Sequence, residues 1–263
     1  MINYILNLSP LLQALLAGIF SYLFTMLGAS IVFFLRKSNK IFMNSLLSLS
    51  AGIMFSAAIF SLILPAIEMA ENLQLSKLIV LIFGLLFGSL LIIIVDKIFT
   101  KFTINKNNSH SLKKCLLLVL SITMHNIPEG LAIGVAFGSV IYNLDSITIV
   151  TSWMLAIGIA IQNFPEGAAI SLPLYNEGFS KKKSFFFGHI SGIVEPISSF
   201  IGAIVVMRVK YFLPYLLSFA AGSMIFVVVS ELIPESQNMK YKNWMAVTFM
   251  IGFILMMLLD IYL

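Results

Sequence analysis

The sequence predicts an all-α, polytopic membrane protein of eight transmembrane helices. Three observations carry this. Of 263 residues, 60% are hydrophobic and only 10% charged, against ~25% charged in a soluble domain, and the mean hydropathy is +1.03. Residues 1 to 35 and 41 to 67 hold no charge at all, and roughly 20 apolar residues span a bilayer. Lys and Arg sit mostly in short gaps between the apolar runs. A soluble enzyme of any class is excluded. The net charge of +5, scattered over those gaps, is not a nucleic-acid footprint.

Charges and turn residues delimit the helices in order. The first, 9–35, opens at Ser9-Pro10 and stops at Arg36-Lys37. It is expected to be a span and not a cleaved targeting segment, because no basic region precedes it and it runs too long. The second, 42–68, lies between Lys40 and Glu68, and the third, 77–99, between Lys77 and Lys101. The fourth, 113–141, begins at Lys113-Lys114; the fifth is 147–174; the sixth, 184–207, follows Lys181-Lys182-Lys183. The seventh is 211–236 and the eighth 243–262. The longest gap, Lys101 to Lys113, contains Asn105-Lys106-Asn107-Asn108-Ser109-His110 and reads as a flexible, solvated loop. Connections this short leave one transmembrane domain over 1–263.

Thirteen of the sixteen Lys and Arg fall on one side of this arrangement; Lys77, Arg208 and Lys210 fall on the other. The positive-inside rule assigns the crowded side to the cytoplasm. The expectation is an integral, multi-pass cell-membrane protein with both termini non-cytoplasmic.

The chain repeats itself. Ala51-Gly52-Ile53-Met54 resembles Ala221-Gly222-Ser223-Met224, and Leu62-Ile63-Leu64-Pro65 resembles Glu231-Leu232-Ile233-Pro234. A stronger pair is His125-Asn126-Ile127-Pro128-Glu129-Gly130 and Gln162-Asn163-Phe164-Pro165-Glu166-Gly167. Both pairs lie in oppositely directed spans. Inverted repeats with prolines interrupting helices near mid-membrane point to a transporter with a central binding site.

Spans four to seven each carry one acid in the apolar run: Glu129, Glu166, Glu195 and Glu231. A lone charge at the bilayer centre costs about 2.5–3.5 kcal/mol on insertion scales. Such acids are either protonated and hydrogen-bonded between helices or neutralised by a cation. His125 and Glu129 are four apart and share a helix face with Asn126; Gln162, Asn163 and Glu166 repeat the arrangement. Pro128 and Pro165 lack an amide hydrogen, which frees the carbonyls of Met124 and Ile161 as extra donors or kinks the helices. The set holds one imidazole, carboxylates and amide oxygens, with no thiolate. It suits Zn²⁺, with Fe²⁺, Mn²⁺, Co²⁺ and Cd²⁺ as further candidates. Cys115, the only cysteine, is a packing residue, so there is no disulfide framework. His189 lies six residues from Glu195, off its face, and fits an interfacial hydrogen-bonding role at least as well as a metal role.

At these residues the chain resembles the ZIP (Zrt/Irt-like) family of divalent-metal transporters, and its GufA-like branch most. The resemblance extends to His189-Ile190-Ser191-Gly192-Ile193-Val194-Glu195-Pro196 and Ser230-Glu231-Leu232-Ile233-Pro234-Glu235. It implies a binuclear site between spans four, five and six. One metal would be held by His125, Glu129, Gln162 and Glu166, the second by Asn126, Glu129, Asn163, Glu166 and Glu195, with Glu129 and Glu166 bridging. Some members carry His in place of Gln162 and Asp in place of Asn163. Many have a His-rich loop after span three, where this chain has only His110.

The expected function is therefore transport of divalent metal, zinc foremost, into the cytoplasm by a chain that is not an enzyme and needs no cofactor beyond its cargo. The alternative is a broader divalent-cation channel or proton-coupled carrier. A zinc protease would need a motif such as His-Glu-x-x-His, which does not occur. The expected partners are metal ions and the lipid bilayer, with a homodimer allowed and no nucleic acid. Glu68 is expected at the way in and Glu231 at the way out, since Glu231 lies about 30 Å along span seven at ~1.5 Å per residue.

Overall fold

The computed structural model describes residues 8–34, 40–104, 110–142, 148–237 and 239–262. These form eight helical rods. The first three are α1 (Pro10–Phe34), α2 (Lys40–Ala57, continuing to Asn72) and α3 (Lys77–Ile104). Then come α4 (His110–Ser139), α5 (Ile149–Asn176), α6 (Lys181–Ile190, continuing to Arg208), α7 (Leu213–Val227, continuing to Ser236) and α8 (Lys242–Tyr262). Seven of them, all but α4, are long and apolar enough among the described residues to cross a membrane. The chain is an integral, multi-pass, all-α membrane protein.

The expected loop from Lys101 to Lys113 is shorter than its polarity suggested. α3 runs to Ile104 and α4 starts at His110, so Lys101, His110 and Lys113 belong to helices. Charged and polar residues extend a helix past the hydrocarbon and place their heads at the interface. The remaining 105–109, and Arg36 and Lys37, lie outside the described residues, as do the side chains of His110, Cys115 and His125.

Prolines lie both within regular helix and just after irregular turns. α4 and α5 run unbroken through Pro128 and Pro165. The irregular turns lie elsewhere: a π turn at Ala58–Ile63 ahead of Pro65, another at Val228–Leu232 ahead of Pro234, and a 3-10 turn at Ser191–Ile193 ahead of Pro196. A proline removes the amide that would close the preceding turn and crowds its carbonyl. The two π turns fall on the weaker sequence repeat, so that repeat is structural as well.

α1 packs against α5 and α6, and α4 against α6; α2 packs against α8, and α3 against α7. Without a hydrophobic drive between helices in lipid, close backbone approach supplies the attraction. A methyl group at Gly28 of α1 would strike the Phe164 carbonyl of α5, and one at Gly167 the Thr25 carbonyl of α1. Gly52 and Gly252 do the same across α2 and α8. Between α5 and α8, by contrast, Gly158 meets the flexible Met256 side chain. Polar ends close the connections. Thr148 caps α5 in a reciprocal box with Thr151, and the Lys181 ammonium donates to the Phe33 carbonyl at 2.9 Å, at the end of α1.

Candidate metal centre

α4 and α5 each present an amide three residues before a glutamate on one face: Asn126 and Glu129, Asn163 and Glu166. Gln162 adds a third amide, and Glu195 enters from the first turn of α6, just past the 3-10 turn. All six side chains are buried; Glu129 and Glu195 are 0% exposed and Glu166 1%. The glycines after Glu129 and Glu166 set the helix spacing. A methyl group at Gly130 would clash with Ser198 and the Glu195 backbone, so α6 approaches close enough to bring Glu195 in.

The hydrogen bonds orient every amide the same way. Gln162 Nε2 donates to Glu129 Oε1 at 2.6 Å. Asn163 Nδ2 donates to Glu195 Oε2 and to Ser21 Oγ, both at 2.7 Å. Asn126 Nδ2 donates to the Ser191 carbonyl at 2.9 Å. Each nitrogen has an acceptor, which fixes which amide atom is the oxygen. The oxygens are left over. Asn126 Oδ1, Gln162 Oε1, Asn163 Oδ1 and Glu129 Oε2 are buried without a hydrogen-bond partner among the described residues. Unmatched buried oxygens cost free energy unless an ion or water meets them.

The carboxylates are braced from two other helices. Thr25 Oγ1 of α1 donates to Glu195 Oε1 at 3.2 Å. Ser50 Oγ of α2 donates to Glu166 Oε1 at 3.1 Å, with the Gln162 carbonyl at 3.3 Å. Glu129 lies within Coulombic reach of Glu166 and Glu195. Among the described residues no three His, Cys, Asp or Glu side chains gather tightly enough to hold an ion by themselves. The donor set is mixed, carboxylates with amides. His125 is on α4 one turn before Glu129, with its side chain outside the described residues.

A model of the ZIP zinc transporter family matches residues 113–260, which carry all of these donors. The chain is 33% identical to "Zinc transporter ZIP11" of Xenopus tropicalis, over 96% of this chain and 98% of the relative. It is 32% identical to the human protein of that name, over the same shares. "Zinc transporter GufA" of Myxococcus xanthus is 32% identical over 76% of this chain and 79% of its own length. The chain belongs to the ZIP zinc transporter family. Within it, these relatives place the chain in the GufA-like branch.

The remaining candidates of this ZIP chain sit apart in character. Glu231 lies on the π turn of α7 and is half exposed, unlike the buried acids of α4, α5 and α6. Glu68 is half-buried in the last segment of α2. His189 is hydrogen-bonded through Nδ1 to Tyr22 Oη at 3.0 Å and lies against Phe185 and Phe186.

Two features went unread in the ZIP sequence. The bracing hydroxyls of Ser21, Thr25 and Ser50 carry no signal, because serine and threonine are ordinary in apolar helices. Asp260 did carry one: it is an acid in the last turn of an otherwise uncharged span. Ser61 Oγ donates to Asp260 Oδ1 at 2.6 Å, while Oδ2 is buried without a partner among the described residues. The pair lines a cavity of about 100 Å³ with Phe60, Pro65 and Thr151, at the end of the bundle where α5 begins.

Proposed function

We propose that this chain carries divalent metal ions, zinc foremost, across the membrane into the cytoplasm by way of the buried group on α4, α5 and α6. The observation that carries the reading is the shared orientation of three amides. Asn126, Gln162 and Asn163 all commit their nitrogens to neighbours and leave their buried oxygens unmatched, as Glu129 Oε2 is. A cation is the partner that satisfies such a set, and it also neutralises the clustered glutamates.

In this reading His125 supplies the nitrogen that favours zinc over harder ions. Two ions share Glu129 and Glu166. Gln162 and His125 complete one site; Asn126, Asn163 and Glu195 complete the other. That the relatives are named zinc transporters supports zinc as the cargo. With no second imidazole and no Asp at 163, the site holds each ion weakly enough to release it, as conduction through a membrane requires.

The cavity at Asp260 and Ser61, with Glu68, forms the way in, and Glu231 stands at the way out. Both termini then face away from the cytoplasm, in keeping with the charge distribution. The chain is a transporter and not an enzyme.

The test is zinc uptake by proteoliposomes holding the purified full-length chain, at fixed pH, with Mn²⁺, Co²⁺, Cd²⁺ and Fe²⁺ as competitors. Saturable zinc uptake lost in Glu129→Ala and Glu166→Ala is expected. Near-normal uptake in either variant overturns the shared-bridge arrangement.

A further inference from the structure

Two carboxylates of the metal centre are satisfied by the protein to different degrees. Glu129 takes the Gln162 amide on Oε1, and its Oε2 is buried without a hydrogen-bond partner among the described residues. Glu195 has a donor on each oxygen. Thr25 Oγ1 of α1 donates to Oε1 at 3.2 Å, and Asn163 Nδ2 of α5 donates to Oε2 at 2.7 Å. Ser21 Oγ, one turn before Thr25, accepts from Asn163 Nδ2 at 2.7 Å and is itself hydrogen-bonded to Glu195. An ionised carboxylate only accepts, so each of these contacts turns a partly positive hydrogen toward Glu195.

The packing of α1 explains why these hydroxyls meet Glu195. Hydroxyls elsewhere in the bundle turn back on their own helix: Ser45, Ser89 and Thr123 donate to the carbonyl four residues earlier. Thr25 reaches across to α6 instead. A methyl group at Gly18 would strike Ser199 and the Pro196 backbone of α6. One at Gly192, in the 3-10 turn, would crowd Thr25 Oγ1 and Glu195 Oε1. Residues 18, 21 and 25 lie three and four apart and so share the face of α1 that is pressed onto α6. Ser21 and Thr25 are fully buried there.

We infer that Ser21 and Thr25 regulate loading of the second ion, because their hydroxyls, with the Asn163 amide, compete with that ion for Glu195. The inference rests on the two-ion reading above. An ion entering beside Gln162 and Glu129 meets oxygens already left over. An ion entering beside Asn163 and Glu195 has to displace hydrogen-bond donors first. Each hydrogen bond to a charged group that is given up lowers the ion's affinity about tenfold. The first ion therefore loads onto the group as it stands, and the second loads only as the hydroxyls of α1 turn away. Ser21 and Thr25 are positioning residues in this scheme, and neither touches the cargo.

The test is calorimetric zinc titration of the detergent-purified full-length chain at fixed pH, native against Ser21→Ala/Thr25→Val. These substitutions remove the hydroxyls and keep Gly18, Gly28 and Gly167, which set the spacing of α1. The expected result is two binding steps in the native chain. In the double variant the weaker step tightens about tenfold or more, while the stronger stays within about twofold. Thr25→Val alone, the smaller change, should tighten the weaker step about threefold, and Thr25→Ser should keep it at the native value. A brace that only held the helices together would loosen binding when removed. A weaker step that stays unchanged or loosens in both variants overturns the inference and leaves the two-ion reading standing. One ion bound by the native chain and the variants alike overturns both.

Discussion

Gln162 donates its side-chain nitrogen to Glu129 Oε1 at 2.6 Å, across the seam between α4 and α5, and so turns its own oxygen into the buried group. One contact thus orients a carboxylate and exposes a second donor. Gln162→Leu removes both effects. Zinc binding to the purified protein, measured by calorimetry, should weaken about 10–100-fold, the range seen when groups that orient metal ligands are removed. Unchanged affinity would take Gln162 out of the site.

His125 is the one nitrogen donor expected in the group. His125→Ala leaves only oxygens, which suit harder ions. Zinc uptake should fall while the ratio of manganese to zinc uptake rises. A constant ratio means that the imidazole does not touch the cargo.

Protons compete with metal for these ligands, because imidazole and carboxylate bind metal only when deprotonated. Imidazole ordinarily titrates near ~6.5 and carboxylic acids near ~4. Uptake should therefore decline as pH drops from ~7 toward ~5, and His125→Ala should flatten the upper part of that decline. Uptake that climbs steadily with acidity would point to proton-driven import.

The two ends of the route separate by kinetics. Glu231→Gln should lower the maximum uptake rate severalfold and leave equilibrium zinc affinity within about twofold; loss of affinity would move Glu231 into the central group. Asp260→Asn should raise the zinc concentration needed for half-maximal uptake, most at low ionic strength, where a lone carboxylate attracts a dication over the longest distance. An unchanged saturation curve would make Asp260 a partner of Ser61 and nothing more.

Gly167 lies against the Thr25 carbonyl and the Ala29 amide of α1. Gly167→Leu forces α1 and α5 apart and with them the Ser21 and Thr25 braces. The variant should lose several degrees of melting temperature in detergent together with zinc binding. Full stability would show that α1 yields to a larger side chain without effect.

Much of the site was legible in the chain because the bilayer makes polar residues conspicuous. Glu129, Glu166 and Glu195 stand in runs with nothing else charged, and the i, i+3 and i, i+4 spacing puts their neighbours on the same faces. Span limits came within a few residues, except beside the 105–109 gap, where helices carry Lys and His past the hydrocarbon. The prolines were legible only in part. Their chemistry forbids one hydrogen bond, but whether the turn ahead widens to π, tightens to 3-10 or stays α depends on what packs against it. Asp260 was passed over because an acid in a last helical turn looks like an ordinary end charge until Ser61 is seen to meet it.

By itself the sequence determined that the chain is an all-α, multi-pass membrane protein, roughly where its helices run, and which acids and amides of α4, α5 and α6 are buried. Each of these follows from the cost of placing charge or unmatched polarity in hydrocarbon, a cost that acts on every helix separately. Only the tertiary structure decided which atom of each amide is free, which hydroxyls brace each carboxylate and where the glycines let backbones touch. An amide carries a donor and an acceptor on one carbon. Which of them is left for a cation depends on the neighbouring helix, and no periodicity within a single helix encodes it.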